Sequence, residues 1–173
     1  MLMSLSFSLQ ATKERVFDAV AKYLQALELP INSVDDNRPW GGFFVIEEKS
    51  ADKFISVFFP GMEQKYISQD NKLSPKILIV APEKRLSWQY HHRRAEIWKL
   101  IGGRAGVAVS DTDEEKEASY LSPGDIIRLK QGERHRLIGL NEWAIVAEIW
   151  QHTDPQNPSD ENDIIRLQDD FGR

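Results

Sequence analysis

The sequence predicts an all-β fold, an antiparallel sandwich or barrel carrying a helical segment at its N-terminal side. Three observations carry that prediction. Past Pro75 the chain breaks into short alternating apolar runs at near-regular spacing, the pattern of many short strands. Turn signals separate those runs: Ala81-Pro82-Glu83, Gly102-Gly103, Ser122-Pro123-Gly124 and Lys130-Gln131-Gly132. The clearest helical period lies ahead of them, between Thr12 and Leu27.

In that first element Val16, Val20, Tyr23, Leu24 and Leu27 recur at i, i+4, i+7, i+8 and i+11, one face of an amphipathic helix. Thr12 can cap it and Pro30 stops it. Ser50 to Phe59 reads as a second short helix, since Phe54, Val57 and Phe58 share a face, although its β-branched and aromatic content leaves a strand open. The strand runs are Lys76–Val80, Leu86–His91, Glu96–Ile101, Arg104–Val109, Asp125–Leu129, His135–Leu137 and Ala144–Trp150. The acidic run Asp111–Glu117 reads as a solvated hairpin tip. Residues 152–162 are polar and contain proline, and 163–173 resume an apolar trace that should pack back on the domain. The expected division is a helical extension over 1–37 and a β domain over 38–173.

Composition narrows the function. A chain of 173 residues suits one domain with a sizeable core. Its formal charge of -5 gives no basic field for a nucleic-acid backbone or an anionic membrane. No run approaches the ~18 apolar residues of a spanning helix, and Met1–Gln10 lacks a basic n-region, so a cytoplasmic protein is expected. With no cysteine, thiolate metal sites, disulfides and a cysteine nucleophile are excluded, and any metal must sit on N and O ligands.

Three of the four histidines, His91, His92 and His135, fall in or beside the strand-rich part near carboxylates. Strand alternation puts Gln89 and His91 on one face and Trp88 and Tyr90 on the other. After a turn at 92–95, antiparallel pairing of the next strand should bring Glu96 beside His91. His135 opens a later strand and can face the same interior point. An amide, two imidazoles and a carboxylate make a divalent-metal site with open positions. Trp40, Trp88, Trp98 and Trp150 read first as core packing.

This spacing resembles the two cupin motifs, over 82–103 and 124–139. Gln89-x-His91, four residues, Glu96, then six residues to Gly103 resembles the first, with glutamine at the usual first histidine. Gly124, five residues, Lys130-x-Gly132-x-x-His135 resembles the second, while Glu83, Lys130 and Gly139 stand where the pattern has glycine, proline and asparagine. Within cupins the chain is similar to type II phosphomannose isomerases. The likeness lies in Arg38-Pro39-Trp40-Gly41, the core Leu86 through Trp98, Gly132 through Leu137, Glu148 through Gln151 and Asp163 through Arg173. Arg93 and Ile97 stand where that core has histidines.

The resemblance implies a double-stranded β-helix, or jelly-roll barrel, binding one divalent metal at Gln89, His91, Glu96 and His135. Zinc is foremost, with manganese, iron, cobalt and nickel open. It implies aldose–ketose isomerisation of a small sugar phosphate, in which the metal polarises adjacent oxygens and a carboxylate moves the proton. Glu148 is the expected carboxylate, because an interior setting raises its pKa, and Glu96 is its rival. Arg93, Arg94, Arg136 and Arg166 are the candidates for the phosphate. A homodimer is expected, with Phe43, Phe44, Phe58 and Phe59 as its apolar surface. The alternatives are a non-catalytic cupin that binds a sugar or sugar phosphate, and another metal-cupin activity such as an oxygenase.

Overall fold

The computed structural model describes residues 4–62 and 72–173. Helix α1 spans Lys13–Ala26, and the Thr12 hydroxyl accepts from the Arg15 amide at 3.3 Å, satisfying one of the amides that a helix leaves open at its start. Strands β1 (Ile31–Arg38) and β2 (Gly41–Ile46) follow, then a 3₁₀ turn over Glu48–Ser50 and helix α2 (Ala51–Phe58). Nine further strands complete the described chain: β3 (Lys76–Val80), β4 (Trp88–Tyr90), β5 (Arg94–Gly102), β6 (Ala105–Ser110), β7 (Ser119–Leu121), β8 (Ile126–Leu129), β9 (Arg134–Gly139), β10 (Ala144–His152) and β11 (Ile165–Gln168).

They form two antiparallel sheets with strand orders β1-β2-β3-β10-β5-β8 and β11-β4-β9-β6-β7. The expected helical stretch over 1–37 is therefore corrected at its end. Ile31–Arg38 pairs with β2 as the edge of the larger sheet. Its residues Asn32, Ser33, Asp35 and Asp36 give a polar edge with little apolar signal, which suits a strand paired on one side only. Strand β11 likewise arises from the tail and pairs with β4. The acidic segment is less free than a solvated tip: Arg134 bonds Asp113, and the buried Arg136 holds Glu115.

The larger sheet separates two apolar layers. On its outer face, α1 and α2 cover Ile77, Ile79, Ile97, Ile145, Ala147 and Ile149, with Phe54, Phe58 and Phe59 from the α2 region packed among them. Between the sheets lie Phe43, Leu78, Val80, Trp98, Leu100, Val107, Leu137 and Val146. Alternation along β2, β3, β5 and β10 sorts side chains between these layers. Phe43, Phe44, Phe58 and Phe59 are all used inside the monomer, none more than 8% exposed, so they offer no surface to a second copy. Glu83, at the position of a motif glycine, has a left-handed backbone with φ 59°, the conformation that favours glycine there. At Gly139, the last residue of β9, a Cβ would come within 2.2 Å of the Ala81 carbonyl oxygen, so this strand end has no room for asparagine. Among the described residues no helix is long and apolar enough to cross a membrane.

Candidate metal centre and substrate cavity

Between the two sheets, one row of the smaller sheet sets the frame. Arg166 on β11 lies opposite Gln89 on β4, and Gln89 lies opposite His135 on β9. Directly paired residues point to the same face, so the row projects a guanidinium, an amide and an imidazole together. His91 follows the end of β4, and Glu96 projects from β5 in the other sheet. The expected antiparallel pairing of these two strands does not occur, because β4 and β5 belong to different sheets. The carboxylate instead crosses the gap between sheets, placing Glu96 Oε1 3.2 Å from His91 Nε2 and Oε2 3.5 Å from His135 Nε2. The ligand atoms of His91, Glu96 and His135 all lie within 4.8 Å of one another.

Backbone carbonyls choose the tautomers. His91 Nδ1 lies 2.6 Å from the Asp163 carbonyl and His135 Nδ1 lies 2.9 Å from that of Glu133. A carbonyl only accepts, so each Nδ1 carries the proton and each Nε2 presents a lone pair to the centre. Burial pushes the His91 imidazolium pKa down to about 4 and lowers that of His135, so both rings are neutral near pH 7. Burial opposes ionisation of Glu96, but His91, the permanent charge of Arg94, and His135 outweigh it and hold the carboxyl below its ordinary range.

Two atoms at the centre, Glu96 Oε2 and His135 Nε2, are buried without a hydrogen-bond partner. A buried acceptor without a partner costs on the order of 1–3 kcal/mol. Two such acceptors facing each other fit a cation between them. Gln89 lies against this group: its Oε1 accepts from Ser87 Oγ at 2.5 Å, and its Nε2 lies 3.4 Å from His91 Nε2. Turning the amide over presents Oε1 to the centre and leaves Nε2 to donate to the same hydroxyl. Arg94 Nη2 also reaches His91 Nε2, at 3.2 Å; this is the contact a bound cation would replace. Arg94 would keep Glu96 Oε1 at 2.7 Å and Ser159 Oγ at 2.8 Å.

The same cavity holds Glu148, on β10 and cross-paired with both Trp98 and Lys76. Trp98 Nε1 donates to its Oε1 at 3.0 Å. Burial first, then the charge of Glu96, pushes the Glu148 carboxyl up to about 8, against the opposing pull of Lys76 and Arg94. Lys76 is 4% exposed and lies 3.9 Å from the Trp150 ring centroid and 4.9 Å from that of Phe43. Its ammonium bonds Glu161 at the cavity edge. Sequence reading missed this residue, because a lysine opening an apolar strand resembles a solvated end.

Of the four predicted phosphate arginines, Arg94 and Arg166 line the cavity while Arg93 and Arg136 do not. Arg93 lies 3.6 Å from Asp160, and Arg136 is committed to Glu115 and the Gln168 carbonyl. Arg38 and Arg173 line it as well. Trp40, Trp98 and Trp150 are buried cavity walls, whereas Trp88 turns its Nε1 to the Asp113 carbonyl. Of the two positions lacking family histidines, Ile97 packs under the helices and Arg93 does not line the cavity. Asp163 was also missed. Its carboxylate accepts from the amides of His92 and Arg93, both at 3.0 Å, and from Ser159 Oγ at 2.6 Å, fixing the turn that carries His91.

Two antiparallel sheets enclosing a His/Glu/His group on these motifs define a cupin. The chain belongs to the mannose-6-phosphate isomerase C-terminal family, which it matches over residues 47–169. It is 31% identical over 122 residues to the alginate biosynthesis protein AlgA of Pseudomonas aeruginosa, covering 68% of this chain and 23% of that protein. It is 27% identical over 117 residues to the mannose-1-phosphate guanylyltransferase ManC of Salmonella typhimurium, with the same two coverages. The chain thus matches under a quarter of the length of these relatives. Among solved structures, the capsular polysaccharide assembling protein CapF of Staphylococcus aureus has a TM-score of 0.52 at 14% identity, over 90% of this chain and 40% of that one. That likeness concerns the fold alone.

Proposed function

We propose that the chain is a metal-dependent aldose–ketose isomerase of a sugar phosphate, resembling mannose-6-phosphate isomerase. The observation that carries this reading is a buried His91–Glu96–His135 group whose carboxylate lines the same cavity as a second buried carboxylate, Glu148, with a pKa raised to about 8. Gln89, His91, Glu96 and His135 would hold one divalent cation. When bound, that cation lowers the cost of removing a proton beside a sugar carbonyl by polarising the oxygens on C1 and C2.

The remaining work falls to the chain. Isomerisation moves one proton from C2 to C1 and another between the two oxygens, with no net loss or gain. A carboxyl group that titrates near neutrality both takes and returns a proton, and Glu148 is the group so tuned. Trp98 fixes one of its oxygens, while the nearby charge of Lys76 favours its ionised form. Glu96 is less suited, since Arg94 occupies one oxygen and the metal group the other. Trp40, Phe43 and Leu78 provide an apolar wall that excludes water from the sugar backbone.

The test is incubation with mannose 6-phosphate or fructose 6-phosphate and a divalent metal in deuterated water. Product carrying deuterium at the exchanged carbon is expected, and its absence across zinc, manganese, iron, cobalt and nickel overturns the reading. Binding without turnover would favour the sugar-phosphate-binding cupin, and metal-dependent oxygen consumption would favour the oxygenase. The homodimer and the cytoplasmic setting remain part of this proposal. A scattering mass near 20 kDa, the 19.9 kDa of one chain, would remove the dimer.

A further inference from the structure

Two motifs from opposite ends of the sequence, Arg38-Pro39-Trp40-Gly41 and Arg166 through Arg173, have no task in the proton transfer. The fold brings their arginines to one wall of the substrate cavity. We infer that Arg38, Arg166 and Arg173 form the subsite for the dianionic phosphate of the substrate, holding it beside the metal group. This assignment rests on the sugar-phosphate reading and adds to it which residues select a phosphorylated ligand.

Arg166 is the centre of the argument. Its Nε is buried without a hydrogen-bond partner, an unfavourable state for a charged donor unless something accepts from it. It lies directly across from Gln89, one strand spacing from the metal donors. Burial, and then the like charge of Arg173, lowers its pKa, with Arg38 contributing in the same sense and Asp169 opposing. Three guanidiniums set against the carboxylates of Asp35 and Asp169 leave one unit of excess positive charge, which favours an anionic ligand.

The flanking arginines are oriented rather than consumed. Asp35 takes Arg38 through Nε at 2.8 Å, and Asp169 takes Arg173 through Nε and Nη2, both at 2.9 Å. Arg38 lies 5.5 Å from the Phe43 ring centroid and Arg173 5.6 Å from that of Phe171, which further restrains the planar forks. Such restraint leaves less side-chain entropy to lose on binding. Arg93 and Arg136 also bury an Nε without a partner, but neither lines the cavity, so what sets Arg166 apart is its place beside Arg38 and Arg173 on the cavity wall.

The probe is inorganic phosphate, titrated into the full chain by calorimetry and followed by ³¹P NMR. Wild type should bind it, and Arg166→Gln and Arg38→Gln should each weaken binding about 10-fold or more, as expected for loss of a charge-assisted bond. Arg166→Lys should recover part of the affinity by restoring charge without the fork. Arg93→Gln should leave it unchanged. Metal content and unfolding midpoint are measured for every variant, so loss of fold is distinguished from loss of the subsite. Equal phosphate affinity in wild type and Arg166→Gln, or no binding to wild type at millimolar phosphate, overturns the assignment. Arginine-dependent phosphate binding without turnover of any sugar phosphate would sustain the subsite and count against the isomerase reading instead.

Discussion

The two faces of the larger sheet are built from the same strands and behave as two different solvents. On β5 and β10, Ile97, Ile145, Ala147 and Ile149 turn outward into a dry layer under α1 and α2, while Glu96, Trp98, Glu148 and Trp150 turn inward to the cavity. A change of one residue along either strand exchanges hydrocarbon for ionisable groups. The outer layer is favoured by apolar burial alone, at roughly 25 cal/mol per Å². The inner face sets that burial against desolvated charges, which are tolerated only where partners surround them. Stability and chemistry are therefore assigned to opposite sides of one sheet, and substitutions should separate them.

The largest separation is expected at the metal group. The double substitution His91→Ala/His135→Ala should abolish metal binding, read as loss of near-stoichiometric metal by elemental analysis. It should also abolish any rise in melting temperature on adding metal. Full metal retention would remove these residues as ligands.

Next is the outer layer. Phe54 is fully buried and packs against Phe58 with ring centroids 4.8 Å apart. Phe54→Ala should destabilise by ~3–5 kcal/mol in urea unfolding while the folded fraction keeps its metal. A loss of metal in that fraction would show that the two faces are coupled.

Glu148→Gln should leave metal bound and reduce isomerase turnover by ~10²-fold or more. In metal-stripped protein the same variant gives a pH test. The folded pKa of Glu148 is raised above the unfolded value, so its contribution to stability is fully present below about pH 4.5 and declines as pH rises to about 8. The stability of Glu148→Gln relative to wild type should therefore grow across that interval in equilibrium unfolding. A constant difference would place the raised pKa in doubt.

The smallest effect is expected at Asp169. Its hydrogen bond with Arg173 holds the carboxyl at about 2. Its contribution is present above the unfolded value near 3.8 and disappears as pH falls through about 2. Because Arg173 remains partly exposed, Asp169→Asn should flatten the acid limb of the stability profile by less than about 1 kcal/mol.

The contrast between faces also governs how much the sequence discloses. Motif spacing and strand parity place Gln89, His91, Glu96 and His135 together, and Glu148 is legible from its company on β10. The route by which Glu96 meets His91 was not, since parity along a strand says nothing about which sheet the next strand joins. β1 escapes notice because one-sided pairing lets it be polar, and β11 because its few apolar residues look like a packing tail. Lys76, and the structural role of Arg136 that the sequence offered as a phosphate contact, are hidden for another reason. A buried charge is recognised by partners remote in sequence, here Glu161 with two aromatic rings and Glu115 with a backbone carbonyl, and no local pattern encodes them.

The hold of Asp163 on His91 carries a consequence for the timing of synthesis. A ribosome delivers residues 31–152, with both histidines and both central carboxylates, before it delivers the carbonyl that fixes the His91 tautomer and the strand that sets Arg166 beside Gln89. A nascent chain that has not yet released residue 163 lacks one of the two carbonyls that orient the imidazoles. The geometry of His91 is therefore set by a residue made 72 positions later, after both imidazoles and both carboxylates are already on the chain.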